Sequence, residues 1–272
     1  MGAEGLDPLA AVTAWPVGTA AVGVTSPAET LAGTGPLEEA LPLASVTKLL
    51  TAMGVLVAVE EETVGLDDPA GPDGSTVAHL LAHASGLAFE GARISAPGRR
   101  RIYSNAGFEV LGEVVAAKAG IPFGTYVTEA VLQPLGMSGT RMGHPAWGAV
   151  GCAADLLALG RELLEPRILS PATLARASTV AFPGLDGVLP GFGRQSPNDW
   201  GLGFELRDGK SPHWTGGRNS PATFGHFGRS GTFLWVDPAA GLACACVTNR
   251  DFGPWAAEAW PVLSDQVVSN FG

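Results

Sequence analysis

The sequence predicts an α/β (α+β) fold: an antiparallel β-sheet flanked by helices, with a mostly helical region inserted between its two halves. Three observations predict it. Short β-like runs lie at both chain ends. Longer apolar runs of helical period fill the middle. A glycine- and proline-punctuated stretch at 183–197 divides that middle from the strand-rich end. Hydrophobic residues make 46% of the 272 and charged residues 15%, a balance that excludes general disorder and supports a substantial core. Residues 1–62 together with 196–272 are expected to build the sheet domain and 63–195 the inserted helical domain. The cleft between two such regions is a natural place for a site.

The elements follow in order. Runs at 11–15 and 19–25, parted by Pro16, Val17 and Gly18, suit an opening hairpin, and 29–32 adds a short strand. Residues 43–59 carry Leu49, Met53, Leu56 and Val59 at helical spacing with most other faces apolar, the pattern of a buried helix. A turn segment at 66–76 precedes a short helix at 77–83 that stops near Gly86. Residues 105–119 read as a helix ended by Gly120 with Pro122 beyond. Segments 122–132 and 153–164 are helical in pattern. Strands are expected at 200–206, 223–226, 232–236 and 242–248, the last two joined by a turn at 237–241, and 254–270 closes the chain as a helix.

Chemistry concentrates in three motifs. In Ser45-Val46-Thr47-Lys48 the spacing puts the Lys48 amine beside the Ser45 hydroxyl on one helix face. A serine needs a neighbour to take its proton before it is a useful nucleophile. A lysine in apolar surroundings has its pKa lowered toward that task. In Tyr103-Ser104-Asn105 the phenol can shuttle a proton to and from the serine oxygen. Asn105 can orient Lys48 or hold a substrate carbonyl; its bland role is a helix N-cap. With 3 Lys and 2 Tyr in the chain, both motifs together are a rare coincidence. The third motif, Gly225-His226-Phe227-Gly228-Arg229, lies on a β-like run whose edge N–H can join that of Ser45 as an oxyanion hole.

S-x-x-K, then Y-x-N, then a late H-x-G resembles the serine β-lactamase and penicillin-binding-protein superfamily, and within it the class C β-lactamase-related branch of esterases, D-amino-acid peptidases and lactamases. The runs 79–87, 103–108, 132–137 and 200–204 resemble family stretches too. The resemblance implies a β-lactamase/transpeptidase-like fold, an acyl-enzyme on Ser45, Lys48 and Tyr103 as the acid/base pair, and oxyanion N–H groups from Ser45 and Arg229. It places His226 where lactamases carry a lysine that helps hold a substrate carboxylate. A histidine is at most partly charged at neutral pH, so the departure favours esters or amides without that carboxylate, unless Arg229 replaces the cation. No class A deacylating glutamate stands out; Glu165 reads as a helix end.

Other features have plainer readings. The run 203–211 resembles a P-loop but has one residue too many between its glycines, and Pro212 blocks a following helix. His79 and His83 are four apart, but Leu80 stands where a metalloprotease motif has Glu, so capping and packing are expected. Arg99, Arg100 and Arg101 suit a solvated loop, the alternative being a recruiter of anionic substrate at the cleft mouth. Cys244 and Cys246 fall on one strand face as small buried hydrophobes, and Cys152 is left over. The late tryptophans are mostly core, with His213 and Trp214 in a loop that can border the site. No metal or other cofactor is expected.

A net charge of −10 argues against nucleic-acid partners, and the longest apolar stretch, 49–59, is too short to span a bilayer. The first residues have no basic n-region, and Leu6 stands where a myristoylation signal needs Ser or Thr, which suggests a cytoplasmic protein. Three functions compete: a serine hydrolase of a small ester or amide, a β-lactamase or D,D-carboxypeptidase/D-aminopeptidase, and a non-catalytic scaffold that kept the fold.

Overall fold

A computed structural model describes residues 8–272; the reading at Leu6 lies outside the described residues. The chain opens with a single 3-10 turn, Ala10–Ala14, then β1 (Ala20–Thr25), β2 (Thr30–Thr34) and β3 (Leu41–Pro42). A second 3-10 turn, Ala44–Val46, leads into α1 (Thr47–Glu60). The middle holds α2 (Val77–Leu81), α3 (Asn105–Ala119), α4 (Phe123–Val127), β4 (Val150–Gly151), α5 (Ala153–Leu164) and α6 (Pro171–Ala177). The hairpin β5 (Gly187–Leu189) and β6 (Gly193–Gln195) follows, then β7 (Glu205–Leu206), β8 (Phe224–Gly228), β9 (Thr232–Asp237), β10 (Leu242–Thr248) and α7 (Pro254–Phe271).

One antiparallel sheet runs in the order β2-β1-β10-β9-β8-β7, so strands from both chain ends pair at β1 and β10. Its strands β8, β9 and β10 are buried on both faces, which explains their nearly continuous apolar runs. Alternation sorts them. Leu242, Cys244 and Cys246 share a face with Phe233 and Trp235 and pack with Trp260, Leu263 and Val267 of α7. Ala243, Ala245 and Val247 face the larger core shared with α5 and α1. The three cysteines are free and buried, and burial pushes the Cys246 thiol well above its usual range. All of α1 from Thr47 to Ala58 is buried, as its lack of a polar face requires. The helix α5 lies within the 63–195 region yet packs on β1, β9 and β10, so the sheet takes cover from that region as well. Among the described residues no helix is long and apolar enough to cross a membrane.

Several expectations change. Residues 11–15 form no strand: Val12 N–H and Trp15 N–H bond to Leu9 O and Val12 O, a local turn that buries Val12, and the partner of β1 in its hairpin is β2. The strand read at 200–206 shrinks to Glu205–Leu206, because the N–H groups of Leu202 and Gly203 bond to Ala177 O and Leu81 O rather than to a ladder. The helix at 122–132 divides into α4 and one wider π-type turn. Asn105 is the first residue of α3, not its cap: Ser104 Oγ accepts the Gly107 N–H at 3.1 Å. Gly120 ends that helix in the left-handed region, as its position foretells.

Candidate active site

The Ser45 turn is held from two sides. Ala44 before it sits at φ 45°, a costly conformation for a non-glycine residue that persists only where its surroundings enforce it. Those surroundings are identifiable. Thr232 Oγ1 donates to Leu43 O at 2.9 Å and Ser230 Oγ to Pro42 O at 2.6 Å, tying the β8–β9 turn to the segment entering Ser45. Gly228 at the end of β8 touches the same segment: a Cβ there would stand 2.5 Å from Leu43 O. On the other side β3 pairs with β4, Leu43 N–H bonds to Ala149 O, Thr47 Oγ1 accepts Ala149 N–H and Thr51 Oγ1 donates to Pro145 O. This stitching places the Ala146 carbonyl over the start of α1, a partner that no sequence motif marks.

Lys48, one turn on from Ser45 and the second residue of α1, is fully buried. Its Nζ lies 3.4 Å from Ser45 Oγ and donates to Asn105 Oδ1 and Ala146 O, both at 2.7 Å. The Tyr103 ring is 4.8 Å from that nitrogen and the Phe108 ring 5.5 Å. Burial holds the Lys48 pKa well below the ordinary lysine value. Burial of the Tyr103 hydroxyl raises its pKa, against a hydrogen bond with Ser45 that lowers it. So at neutral pH the phenol is protonated, and the amine gives up its proton far more readily than a free lysine.

His226 projects from β8 to Tyr103. Its Nδ1 meets Phe227 O at 2.6 Å, an acceptor, so Nδ1 carries the proton; Nε2 is then free to accept and lies 3.4 Å from the Tyr103 hydroxyl. Burial, then the neighbouring Lys48, lower the His226 pKa to about 3, so the imidazole is neutral. Arg229 follows at the strand end. Its guanidinium is 87% exposed and meets Asp251 at 3.4 Å, so it supplies no cation beside Ser45.

Two groups beyond the motifs position Tyr103. His83 is buried at φ 53°; its O accepts Ile102 N–H at 2.8 Å and its Nδ1 accepts Ser104 N–H at 3.1 Å, bracketing Tyr103, whose ring lies 4.6 Å away. His79, as expected, has a capping and packing role: it bonds to Thr76 and stacks on Phe182. Arg101, read as part of a solvated run, is instead buried, with its guanidinium on the carbonyls of Ala82, Ala181, Phe182 and Asn198; Arg99 and Arg100 stay exposed. Burial lowers the Arg101 pKa to about 10, still charged at neutral pH.

A cavity of ≈ 340 Å³ opens beside Ser45, Tyr103, His226 and Arg229. Glu205 lies at its base. Lys210 meets Oε1 of Glu205, while His213 Nε2 and Trp214 Nε1 each reach Oε2 at 2.9 Å. Burial raises the Glu205 pKa, but Lys210 and His213 outweigh it and bring it to about 2. Lys210, the lysine of the P-loop-like run, is thus an internal counter-ion, and His213 and Trp214 stand one layer behind the cavity. The structure brings Ser45, Lys48, Tyr103, Asn105 and His226 together, with Gly228 and the Arg229 backbone at the strand end beside them.

Comparison with known proteins agrees with this fold. A crystal structure of a β-lactamase from Mycobacterium bovis superposes with a TM-score of 0.96 at 55% identity, covering 97% of this chain and 99% of that one. A hydrolase with promiscuous acyltransferase activity (TM-score 0.79, 19% identity, 95% of each chain) and a simvastatin synthase from Aspergillus terreus (0.78, 16%, 97% and 95%) share the fold. A putative D-alanyl-D-alanine carboxypeptidase from Salmonella heidelberg is 25% identical over 207 residues, 59% of this chain and 48% of its own length, so the match spans about half of that relative. The Beta-lactamase family profile matches residues 11–268, and with the fold and site above it shows that the chain belongs to the β-lactamase family, within the serine β-lactamase and penicillin-binding-protein superfamily.

Proposed function

We propose that the protein is a serine hydrolase that forms an acyl-enzyme on Ser45 and hydrolyses a small ester or amide. The observation that carries this reading is the setting of Lys48 Nζ, 3.4 Å from Ser45 Oγ with two carbonyl-type acceptors at 2.7 Å. An uncharged amine has two N–H donors, and Asn105 Oδ1 and Ala146 O use both. Its lone pair is then left for the Ser45 proton. Tyr103, neutral and bonded to Ser45, relays protons between the serine oxygen and the leaving group.

In the acylation step Ser45 Oγ bonds to the substrate carbonyl carbon and its proton passes to Lys48. The N–H groups of Ser45 and Arg229 hold the oxyanion. The Lys48 proton returns through Tyr103 to the departing alcohol or amine as its bond to carbon breaks. Water then gives its proton to the same pair, attacks the acyl carbon and releases the acid, restoring Ser45.

A second reading is β-lactam hydrolysis, favoured by the 55% identity to the mycobacterial β-lactamase structure. The neutral His226 and the outward Arg229 guanidinium weigh against it, because they leave a lactam carboxylate without a cation in the cavity. The deciding experiment is intact mass after incubation with a fluorophosphonate and, separately, with a fluorescent penicillin, for wild type and Ser45→Ala. Serine-dependent labelling by the phosphonate alone supports the ester or amide hydrolase. Labelling by the penicillin as well moves the assignment to the lactamase or peptidase reading. No added mass from either probe overturns Ser45 as nucleophile and leaves a scaffold.

A further inference from the structure

The cavity beside Ser45 is walled by side chains from distant parts of the chain: Phe89 before α3, Leu189 and Pro190 at the tip of the β5–β6 hairpin, Trp200, and Phe227 and Phe252 from the far end of the sheet. Its two charged lining residues offer a ligand nothing. Both carboxylate oxygens of Glu205 are taken by Lys210, His213 and Trp214. The Arg229 guanidinium reaches out toward Asp251. Lys48 is committed to Asn105 and Ala146, and His226, buried beside Lys48 with its Nδ1 on Phe227 O, stays neutral. A carboxylate entering this space would lose its water and find no free counter-ion, so it would be disfavoured.

The far wall is fixed. Phe252 packs on Phe227 (centroids 5.1 Å apart), Trp260 (5.3 Å) and Phe192 (5.9 Å), and its N–H bonds to Arg229 O at 2.7 Å. Opposite it Gly191, at φ 79°, leaves the ring its place: a Cβ there would stand 2.6 Å from Phe252 Cε1. The hairpin tip and Phe252 thus close the space between them. Ser45 lines the same cavity, so the acyl group of a covalent intermediate is the part of the substrate that stays in it once the leaving group departs.

We infer, resting on the hydrolase reading, that this cavity is the acyl site, that it takes uncharged apolar acyl groups, aliphatic or aromatic, and that the Gly191–Phe252 contact limits their length. At about 30 Å³ per water-sized unit, ≈ 340 Å³ holds on the order of ten heavy atoms.

The test compares kcat/KM for p-nitrophenyl acetate, hexanoate and decanoate and for the mono-p-nitrophenyl ester of adipic acid, in wild type, Ser45→Ala and Phe252→Ala. Adipate has about the length of hexanoate but ends in a carboxylate. Hexanoate is expected about 10-fold or more above acetate, as burial of four further methylenes allows. Adipate is expected about 100-fold below hexanoate, as an unpaired buried charge requires. Phe252→Ala should raise the decanoate-to-hexanoate ratio; the ratio is internal to each preparation, and the wild-type series decides the charge question without the variant. Adipate turned over as well as hexanoate, or acetate preferred, overturns the acyl-site inference while the hydrolase reading stands. No turnover above Ser45→Ala on any ester overturns that reading and the inference with it.

Discussion

The Tyr103 hydroxyl and His226 Nε2 lie 3.4 Å apart, with His226 Nδ1 donating to its neighbour's carbonyl, and burial beside Lys48 keeps the imidazole neutral. This neutrality has a cost in acid. An unfolded histidine takes up its proton near pH 6.5; folded His226 does so near 3, because burial and then Lys48 resist the charge. Between those values the unfolded chain binds more protons. Stability is therefore full above about pH 6.5 and falls as pH drops toward 3. His83, lowered well below 6.5 by burial and by Lys48, acts in the same direction. Thermal midpoints measured from pH 7.5 to 4.5 should fall for wild type and fall less steeply for His226→Phe. An equal slope in the two proteins would remove His226 as a source of the acid sensitivity.

Lys48 carries the proton chemistry in this scheme, and arginine cannot replace it. The guanidinium keeps its charge at every accessible pH and has no lone pair to accept the serine proton. Lys48→Arg should lose about 10³-fold or more in kcat/KM on a turned-over ester, in the range that removal of a general base gives. A Lys48→Arg enzyme within ten-fold of wild type would sink the assignment.

His83 acts through Tyr103 and is a positioning residue. It combines an acceptor for Ser104 N–H with a left-handed backbone at φ 53°. Asparagine tolerates that backbone and offers an acceptor oxygen; leucine does neither. His83→Leu should lower kcat by about 10-fold or more with little change in KM, and His83→Asn should recover most of it. If the two variants lose kcat equally, the bond to Ser104 is not what holds Tyr103.

Much of the site was legible because its residues are adjacent in sequence or rare in type. Ser45 and Lys48 share a helix turn, and Tyr103 and Asn105 flank the cap of another. The sheet was legible from short β-like runs at both chain ends, and α1 from its missing polar side. What escaped reading depends on long-range contact. Ala146 meets Lys48 only because β3 pairs with β4. Phe252 lines the cavity because its backbone is bound to Arg229. Arg101 was misread because its neighbours Arg99 and Arg100 are exposed, and nothing local tells an arginine that caps four carbonyls from one that faces water. The 11–15 run was misread because a short apolar segment has no period long enough to separate a strand from a local turn that buries one side chain.

Gly228 tests how tightly the strand end controls the nucleophile. A methyl group there meets Leu43 O and Thr232 Oγ1, each at 2.5 Å, and backbone cannot step aside as a flexible side chain can. Gly228→Ala should displace the Ser45 turn and slow fluorophosphonate labelling of Ser45 by about 10-fold or more, a loss of the size misplacement brings. Unchanged labelling kinetics would mean that the two segments do not constrain each other.

Glu205 bears on stability more than on chemistry. It is buried with Lys210 on one oxygen and His213 and Trp214 on the other, and its pKa of about 2 lies below the ordinary 4.5 because Lys210 and His213 outweigh the effect of burial. Its stabilising contribution is therefore present above about pH 4.5 and lost as pH falls toward 2. Removing one member of a buried pair strands the other's charge, at a cost of about 3–5 kcal/mol. Lys210 retains the carbonyls of Asp199 and Leu206 when the carboxylate goes, which softens the loss but does not neutralise the ammonium. Glu205→Gln and Lys210→Met should each lower Tm by on the order of 10 °C at pH 7. The double variant should lose less than the two single losses combined, since each single change already spends the same interaction. Strictly additive losses would show that the pair contributes nothing as a pair, and the base of the cavity would then be held by packing around Trp214 alone.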